Sequence, residues 1–249
     1  MFISPMLLQE AIAPPEDYAN VITELKLDGI RLIYSNLGGE VKLYTRYNRD
    51  VTVYFPEVAS VSLPKGVILD GELIAPDPEN KPDYHLLLDR YHSKQVDTSI
   101  MIQFVAFDII YYKGKKVTQL PLIERKKLLD LTVPTDNISI VTSQWVEGNS
   151  EMYFDIVREY NLEGIVVKKP HSKYQTGRRT DDWIKIINYR YLKEKKSGLN
   201  KSNCFLMMLN QNQISQKFLT IDMKPIKNRN KLYESYRQMI NKIKIDLSH

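Results

Sequence analysis

Between Glu24 and Arg31 the chain reads Glu-Leu-Lys-Leu-Asp-Gly-Ile-Arg, which sets one lysine on an apolar, strand-like run that stops at Asp-Gly. A lysine amine attacks an electrophile only when unprotonated, so its site must strip away water or set other cations beside it. Leu25 and Leu27 flank Lys26 with apolar bulk, and Arg31 and Lys185 are the expected cationic neighbours. Asp28-Gly29 suits a tight turn in which backbone can approach a ligand closely. Lys26 is therefore a candidate covalent nucleophile. An ordinary strand-to-turn junction has the same local sequence, and the downstream segments decide between the two.

Four such segments follow. In Leu69-Asp70-Gly71-Glu72-Leu73, strand alternation puts Asp70 and Glu72 on one face, at the end of the apolar run Val67-Ile68-Leu69. Carboxylates there are costly unless they meet a ribose, a metal or a cation. Phe104-Val105-Ala106-Phe107-Asp108-Ile109-Ile110 is buried-strand material in which Phe107 can stack on a purine, although such a residue standing alone is simply core. In Glu163-Gly164-Ile165-Val166-Val167-Lys168-Lys169 the acid and Lys168 lie five apart, on opposite faces of a regular strand. Both reach one site only if Glu163 occupies the turn before the strand, which Gly164 permits. A carboxylate there suits Mg²⁺ and the lysine suits a phosphate. Finally, in Gly177-Arg178-Arg179-Thr180-Asp181-Asp182-Trp183-Ile184-Lys185-Ile186, Trp183 and Lys185 point the same way, and Lys185 is a second phosphate-binding candidate.

The elements that must position these residues are short strands with helices falling irregularly between them. Strands are expected over 21–27, 31–35, 41–46, 67–74, 100–112 and 164–168, and helices over 83–92, 122–131 and 150–160. This order does not fit a wound βαβ sheet. The fold class expected is α+β, with mostly antiparallel sheets. A boundary falls at residue 188, dividing the chain into 1–188 and 189–249, and Lys193-Glu194-Lys195-Lys196-Ser197-Gly198 reads as a linker or loop. Beyond it, 204–209 and 218–223 read as strands, and Leu232, Tyr236, Met239 and Ile243 recur at helical spacing. Some 60 residues are few for an independent core.

The chain has 249 residues, 43% of them apolar, enough for one large domain or two unequal ones. Its single cysteine, Cys204, excludes a disulfide framework and a cysteine-rich zinc site, and the scattered histidines show no metal-ligand spacing. Neither a signal peptide nor a membrane span is visible, so a cytoplasmic protein is expected. The net charge of +5 is unevenly divided: residues 1–187 hold 22 Lys+Arg against 26 Asp+Glu, and residues 188–249 hold 13 against 4. A basic tail on a mildly acidic body points to a polyanionic partner.

The five segments in this order resemble the signature of the covalent nucleotidyltransferases, polynucleotide ligases and mRNA-capping enzymes. Ser4-Pro5-Met6-Leu7, Tyr44-Thr45-Arg46, Phe55-Pro56-Glu57 and Pro121-Leu122-Ile123-Glu124-Arg125-Lys126 favour the branch of ATP-dependent DNA ligases, in particular the small ligases of bacteria and phages. The likeness covers about residues 4–187. It implies a nucleotidyltransferase (adenylation) domain followed by an OB-like part. It further implies a monomer that uses ATP and Mg²⁺, or Mn²⁺, to seal nicks in duplex DNA. By this resemblance Lys26 carries AMP, Glu24 meets the adenine edge and Phe107 stacks on the base. Arg31 and Glu72 contact sugar and phosphate, Arg46 lies near the phosphates, Glu163 and Glu72 hold the metal, and Lys168 and Lys185 neutralise the α-phosphate.

Two departures from the family pattern stand out. Where the family carries a second lysine after the one matched by Lys185, this chain has Ile187, with Lys169 and Arg190 the nearest substitutes. The C-terminal segment holds no convincing final basic motif, as though the OB-like part were truncated or divergent. These departures define an alternative, a ligase-like protein that binds DNA or nucleotide without completing catalysis. An RNA ligase is the alternative within the class.

Overall fold

The computed structural model describes residues 1–14 and 20–197, apart from residues 79, 94 and 149. The elements in order are β1 (Leu7–Ala11), β2 (Ile22–Lys26), β3 (Ile30–Asn36), β4 (Lys42–Thr45), α1 (Pro56–Ala59), β5 (Val67–Ile74), α2 (Tyr84–His92), β6 (Gln103–Tyr112), β7 (Lys115–Lys116), α3 (Leu122–Thr132), β8 (Ile140–Thr142), β9 (Trp145–Glu147), α4 (Ser150–Glu159), β10 (Gly164–Lys168), β11 (Arg179–Ile187) and α5 (Tyr189–Lys196). They form two sheets. One has the order β1-β11-β10-β2-β9, and the other β4-β3-β5-β6-β7 with β8 alongside β6. Every pairing is antiparallel except β1 with β11 and β6 with β8. This is the α+β architecture of mostly antiparallel sheets that the sequence leads one to expect.

The apolar runs explain the strands. Val67-Ile68-Leu69 in β5 and Phe104, Ala106 and Ile109 in β6 are fully buried, and these central strands read as nearly continuous hydrophobic segments. One core lies on the outer face of the second sheet, built from Leu32, Leu69, Leu73, Phe104 and Leu129. Another lies under the first sheet, where α4 packs Tyr153, Phe154 and Val157 against Leu25, Ile165 and Ile186. A third, with Met6, Ile22, Ile33, Phe107 and Trp183, draws residues from both sheets and lies beside the site described below.

Several expectations need correction. The segment read as a linker forms the helix α5 through Lys196. Asn188 caps it by accepting from the Tyr191 amide, and an Arg190–Glu194 ion pair one turn apart (3.0 Å) supports it. It lacks an apolar stripe because it docks through polar groups, so hydrophobic periodicity does not reveal it. The short strands β1, β7, β8 and β9 were not anticipated. The expected strands at 204–209 and 218–223 and the helix that follows them lie outside the described residues.

Candidate active site

Strand register decides which side chains share a face. On the first sheet Lys26 pairs with Gly164, and Gly164 with Ile187; the next row is Glu24, Val166 and Lys185, and the next Ile22, Lys168 and Trp183. Glu24, Lys26, Lys168, Trp183 and Lys185 therefore lie on one face. Immediately after β2 the chain turns through Leu27-Asp28-Gly29 and enters β3 of the other sheet, where Arg31 pairs with Glu72. The candidate nucleophile thus stands where the backbone crosses between sheets. Gly29 is required there for a different reason than expected: a Cβ would come 2.1 Å from the carbonyl oxygen of Leu73, so the close approach is to β5.

Lys26 Nζ lies 2.8 Å from Glu163 Oε1. Glu163 does occupy the turn before β10, and Gly164 is needed because a Cβ would meet the Ile186 carbonyl oxygen at 2.2 Å. The other oxygen, Glu163 Oε2, is buried without a hydrogen-bond partner. Burial raises the Glu163 carboxyl above its ordinary value despite Lys26. Burial also raises Glu72 to about 7, against the pull of Lys26 and Arg31. Two carboxyls held above their usual range, one with a free buried oxygen, are suited to a small divalent cation. Among the described residues no group of three or more acidic, histidine or cysteine side chains could hold a metal. One or two carboxylates with phosphate oxygens and water making up the rest is the usual arrangement for Mg²⁺.

Arg31 is held in a closed ring of hydrogen bonds. Its Nε and Nη2 donate to Asp70 Oδ1 and Oδ2, each at 2.6 Å, and Nη2 donates to the Met6 carbonyl at 3.2 Å. Tyr174 Oη donates to Asp70 Oδ2 at 2.5 Å and accepts from the Met6 amide at 3.0 Å. Burial disfavours the Arg31 charge, but Asp70 outweighs it and keeps the guanidinium firmly protonated. The guanidinium carbon lies 4.4 Å from the centroid of the Phe107 ring, and Lys168 Nζ lies 4.5 Å from the same centroid. Phe107 is 9% exposed, so a base stacking on it has to displace one of these cations.

Glu24 is deeply buried, with Lys126 Nζ 2.5 Å from Oε1 and Lys168 Nζ 2.9 Å from Oε2. Burial would raise its carboxyl, but the two lysines outweigh that and hold it below its ordinary value. Burial lowers Lys168 to about 8, opposed by Glu24. Lys168 therefore lies against the expected base-binding residues rather than beside Lys26. Lys185 points along the same face but is paired with Glu10 of β1 at 2.8 Å. Arg31 and Lys185, the expected cationic neighbours of Lys26, are each also held by an acid, Asp70 and Glu10. Arg46 is exposed beyond β4, its guanidinium 5.1 Å from the Tyr47 ring rather than in the cluster. Lys169 is paired with Asp181 and Asp182, and Arg190 with Glu194, all at the surface.

The family described as ATP dependent DNA ligase domain matches residues 5–186. The chain belongs to that ligase family. It is 40% identical over 203 residues to the SPbeta prophage-derived DNA ligase-like protein LigB of Bacillus subtilis, covering 82% of this chain and 74% of that one. It is 34% identical over 185 residues to DNA ligase 2 of Methanosarcina acetivorans, covering 68% of this chain but only 33% of the relative. Among solved structures it resembles mycobacterial DNA ligase D complexed with ATP and MES, at a TM-score of 0.64 and 26% identity over 75% of this chain and 60% of that one. A Lig E DNA ligase shares the fold at a TM-score of 0.56 and 19% identity.

In this ligase domain, sequence reasoning missed Lys126, Tyr174 and the α5 contacts on Asp28. Asp28 accepts from Tyr191 Oη at 2.7 Å and from Lys195 Nζ at 2.5 and 2.8 Å. A signal for Lys126 was present. Leu122, Arg125, Lys126 and Leu129 fall on the inward stripe of α3, so two cations occupy positions where apolar residues belong. Arg125 meets Asp108 through two bonds of 2.8 Å, and Lys126 meets Glu24.

Proposed function

We propose that this chain is an ATP-dependent DNA ligase that seals 5′-phosphate/3′-hydroxyl nicks in duplex DNA through a lysyl-AMP intermediate, acting as a monomer. The observation that carries this reading is the convergence of Lys26, Glu163, Glu72 and Arg31 where the two sheets meet, with Glu24, Phe107 and Lys168 beside them. Lys26 Nζ, its proton passed to solvent or to Glu163, attacks the α-phosphorus of ATP. A P–N bond forms and the P–O bond to pyrophosphate breaks. The AMP then passes to the 5′-phosphate of a nick, and the 3′-hydroxyl displaces it. Phosphoryl transfer of this kind depends mostly on positioning and charge neutralisation.

In this reading Arg31, fixed by Asp70, meets the sugar and phosphate, and Lys185 exchanges Glu10 for the α-phosphate. Phe107 and Glu24 receive the base. Glu163 and Glu72 would hold Mg²⁺, which would neutralise charge developing on the phosphates. Arg46 keeps its assignment near the phosphates only as part of the family resemblance. Residues 1–188 form the adenylation unit, and the basic segment 189–249 supplies DNA contacts.

Incubation with α-labelled ATP and Mg²⁺, followed by denaturing electrophoresis, tests the reading. A labelled band is expected from the native chain and none from Lys26→Ala, which should still seal pre-adenylated nicks to some degree. A Lys26→Ala band of normal intensity would sink the assignment. One observation favours a second reading. Ile187, 6% exposed, occupies the same row as Lys26, where the family places a cation. A degenerate ligase of this kind would bind nicked duplex without sealing it.

A further inference from the structure

Around Glu24 the buried charges do not balance. Its carboxylate meets Lys126, Lys168 and the hydroxyl of Ser143, which donates to Oε2 at 3.3 Å. The side chains of Glu24, Lys126 and Lys168 are only 2–3% exposed, so two ammonium groups share one carboxylate away from water. The two contacts differ in kind. Lys168 donates a well-directed hydrogen bond, whereas Lys126 makes an ion contact whose direction is not that of a hydrogen bond, leaving its Nζ and Glu24 Oε1 without such partners. The two lysines also differ in where else they can go. Lys168 lies 4.5 Å from the Phe107 centroid and 4.3 Å from the Trp183 centroid, on the face that carries Lys26. Lys126 comes from the inward stripe of α3, next to Arg125, which Asp108 anchors, and among the described residues its ion pair is with Glu24 alone.

A buried carboxylate stripped of its only counterion is strongly disfavoured. With one lysine, Glu24 would therefore hold that lysine and deny it to a ligand. With two, one can leave and the carboxylate still has a counterion. We propose that Lys126 is a positioning residue for nucleotide capture, holding Glu24 ionised and in place when Lys168 leaves that carboxylate for the nucleotide. The inference rests on the reading above that Glu24 and Lys168 meet ATP. It also bears on base choice. An ionised Glu24 accepts from the amino group of adenine, whereas guanine would present a carbonyl oxygen to it, and two acceptors repel. Lys126 thus supports both the affinity for ATP and the rejection of GTP.

The test measures equilibrium binding of Mg²⁺-ATP and Mg²⁺-GTP by calorimetry, using the full chain in a Lys26→Ala background so that covalent capture does not intervene. Lys126→Met is expected to weaken ATP binding on the order of 10- to 100-fold, the range seen when the support behind a functional group is removed. GTP binding should change little, so the preference narrows, and Lys126→Arg should restore it. An equal loss for both nucleotides, or unchanged ATP binding with only a lower melting temperature, would make Lys126 a structural counterion and overturn the proposal. Should Lys126→Met fail to fold, Glu24→Gln and Glu24→Gln/Lys126→Met decide. With no carboxylate left to hold, the two should bind ATP equally, and a weaker double variant refutes the idea. Absence of ATP binding in the Lys26→Ala parent would remove the nucleotide reading itself and the proposal with it.

Discussion

The guanidinium of Arg31 cannot be moved without breaking the Asp70–Tyr174–Met6 ring that holds it. Tyr174→Phe removes one hydroxyl, leaves the Met6 amide without its acceptor and takes one of the two donors from Asp70 Oδ2. A loss of about 1–3 kcal/mol is expected by urea denaturation, the usual cost of leaving buried groups unsatisfied. A variant as stable as the native chain would show that water replaces the hydroxyl. Glu72 gives a pH prediction at the same scale. Burial raises its carboxyl from 4.5 to about 7, so within that window the folded chain keeps a proton that the unfolded chain releases. Its contribution to stability is complete below the window and is lost as pH rises through it. Melting temperatures of the nucleotide- and metal-free chain at about pH 5 and about pH 8 should therefore converge in Glu72→Gln relative to the native chain. An unchanged difference would assign the pH dependence to other groups. Lys26, Glu163, Lys168 and Lys185 stand out in the sequence as candidates because acids and lysines interrupt apolar strands. Their pairings were not, because Glu163, Glu24 and Glu10 reach them from distant parts of the chain.

At the level of elements, β5 and β10 were legible to the residue, since apolar runs (Val67-Ile68-Leu69 with Leu73-Ile74, and Ile165-Val166-Val167) carry them with only short polar interruptions. The three-residue β8 and β9 exist only through their pairing with β6 and β2 and carry too little pattern of their own. The helix α5 looks like a loop in the sequence because what holds it is polar. Tyr191 and Lys195 grip Asp28, and Lys195 Nζ also lies 4.2 Å from the centre of the Tyr84 ring. The contact is specific enough to break with one change. Lys195→Met should cost about 1–3 kcal/mol, less than a fully buried pair because the lysine retains some solvent. Hydrogen exchange of the α5 amides should speed up while that of β5 stays slow. Equal protection in both variants would mean that the helix is held by something other than Asp28.

For the whole molecule, the division of charge is the feature with the plainest consequence. Residues 198–249 carry nine Lys+Arg and three Asp+Glu. Removing them should weaken binding to nicked duplex and flatten its dependence on salt, while ATP binding changes little, because each phosphate neutralised adds about one counterion to the salt slope. Fluorescence anisotropy across a salt series would show this, and equal losses for DNA and ATP would make the segment part of the nucleotide site instead. The two-sheet arrangement was legible only as a class: the sequence showed many strands and irregular helices, but not which strands share a sheet. That assignment matters most at Leu27-Asp28-Gly29, where the chain leaves one sheet for the other directly after Lys26. The candidate nucleophile therefore stands at the crossing between the two sheets. A ligand that draws the sheets together or parts them must move Lys26 and Glu163, which belong to the first, relative to Arg31 and Glu72, which belong to the second. Under the proposed function, the fit of a nucleotide between the sheets and the approach of Lys26 to it would then be set by the same movement.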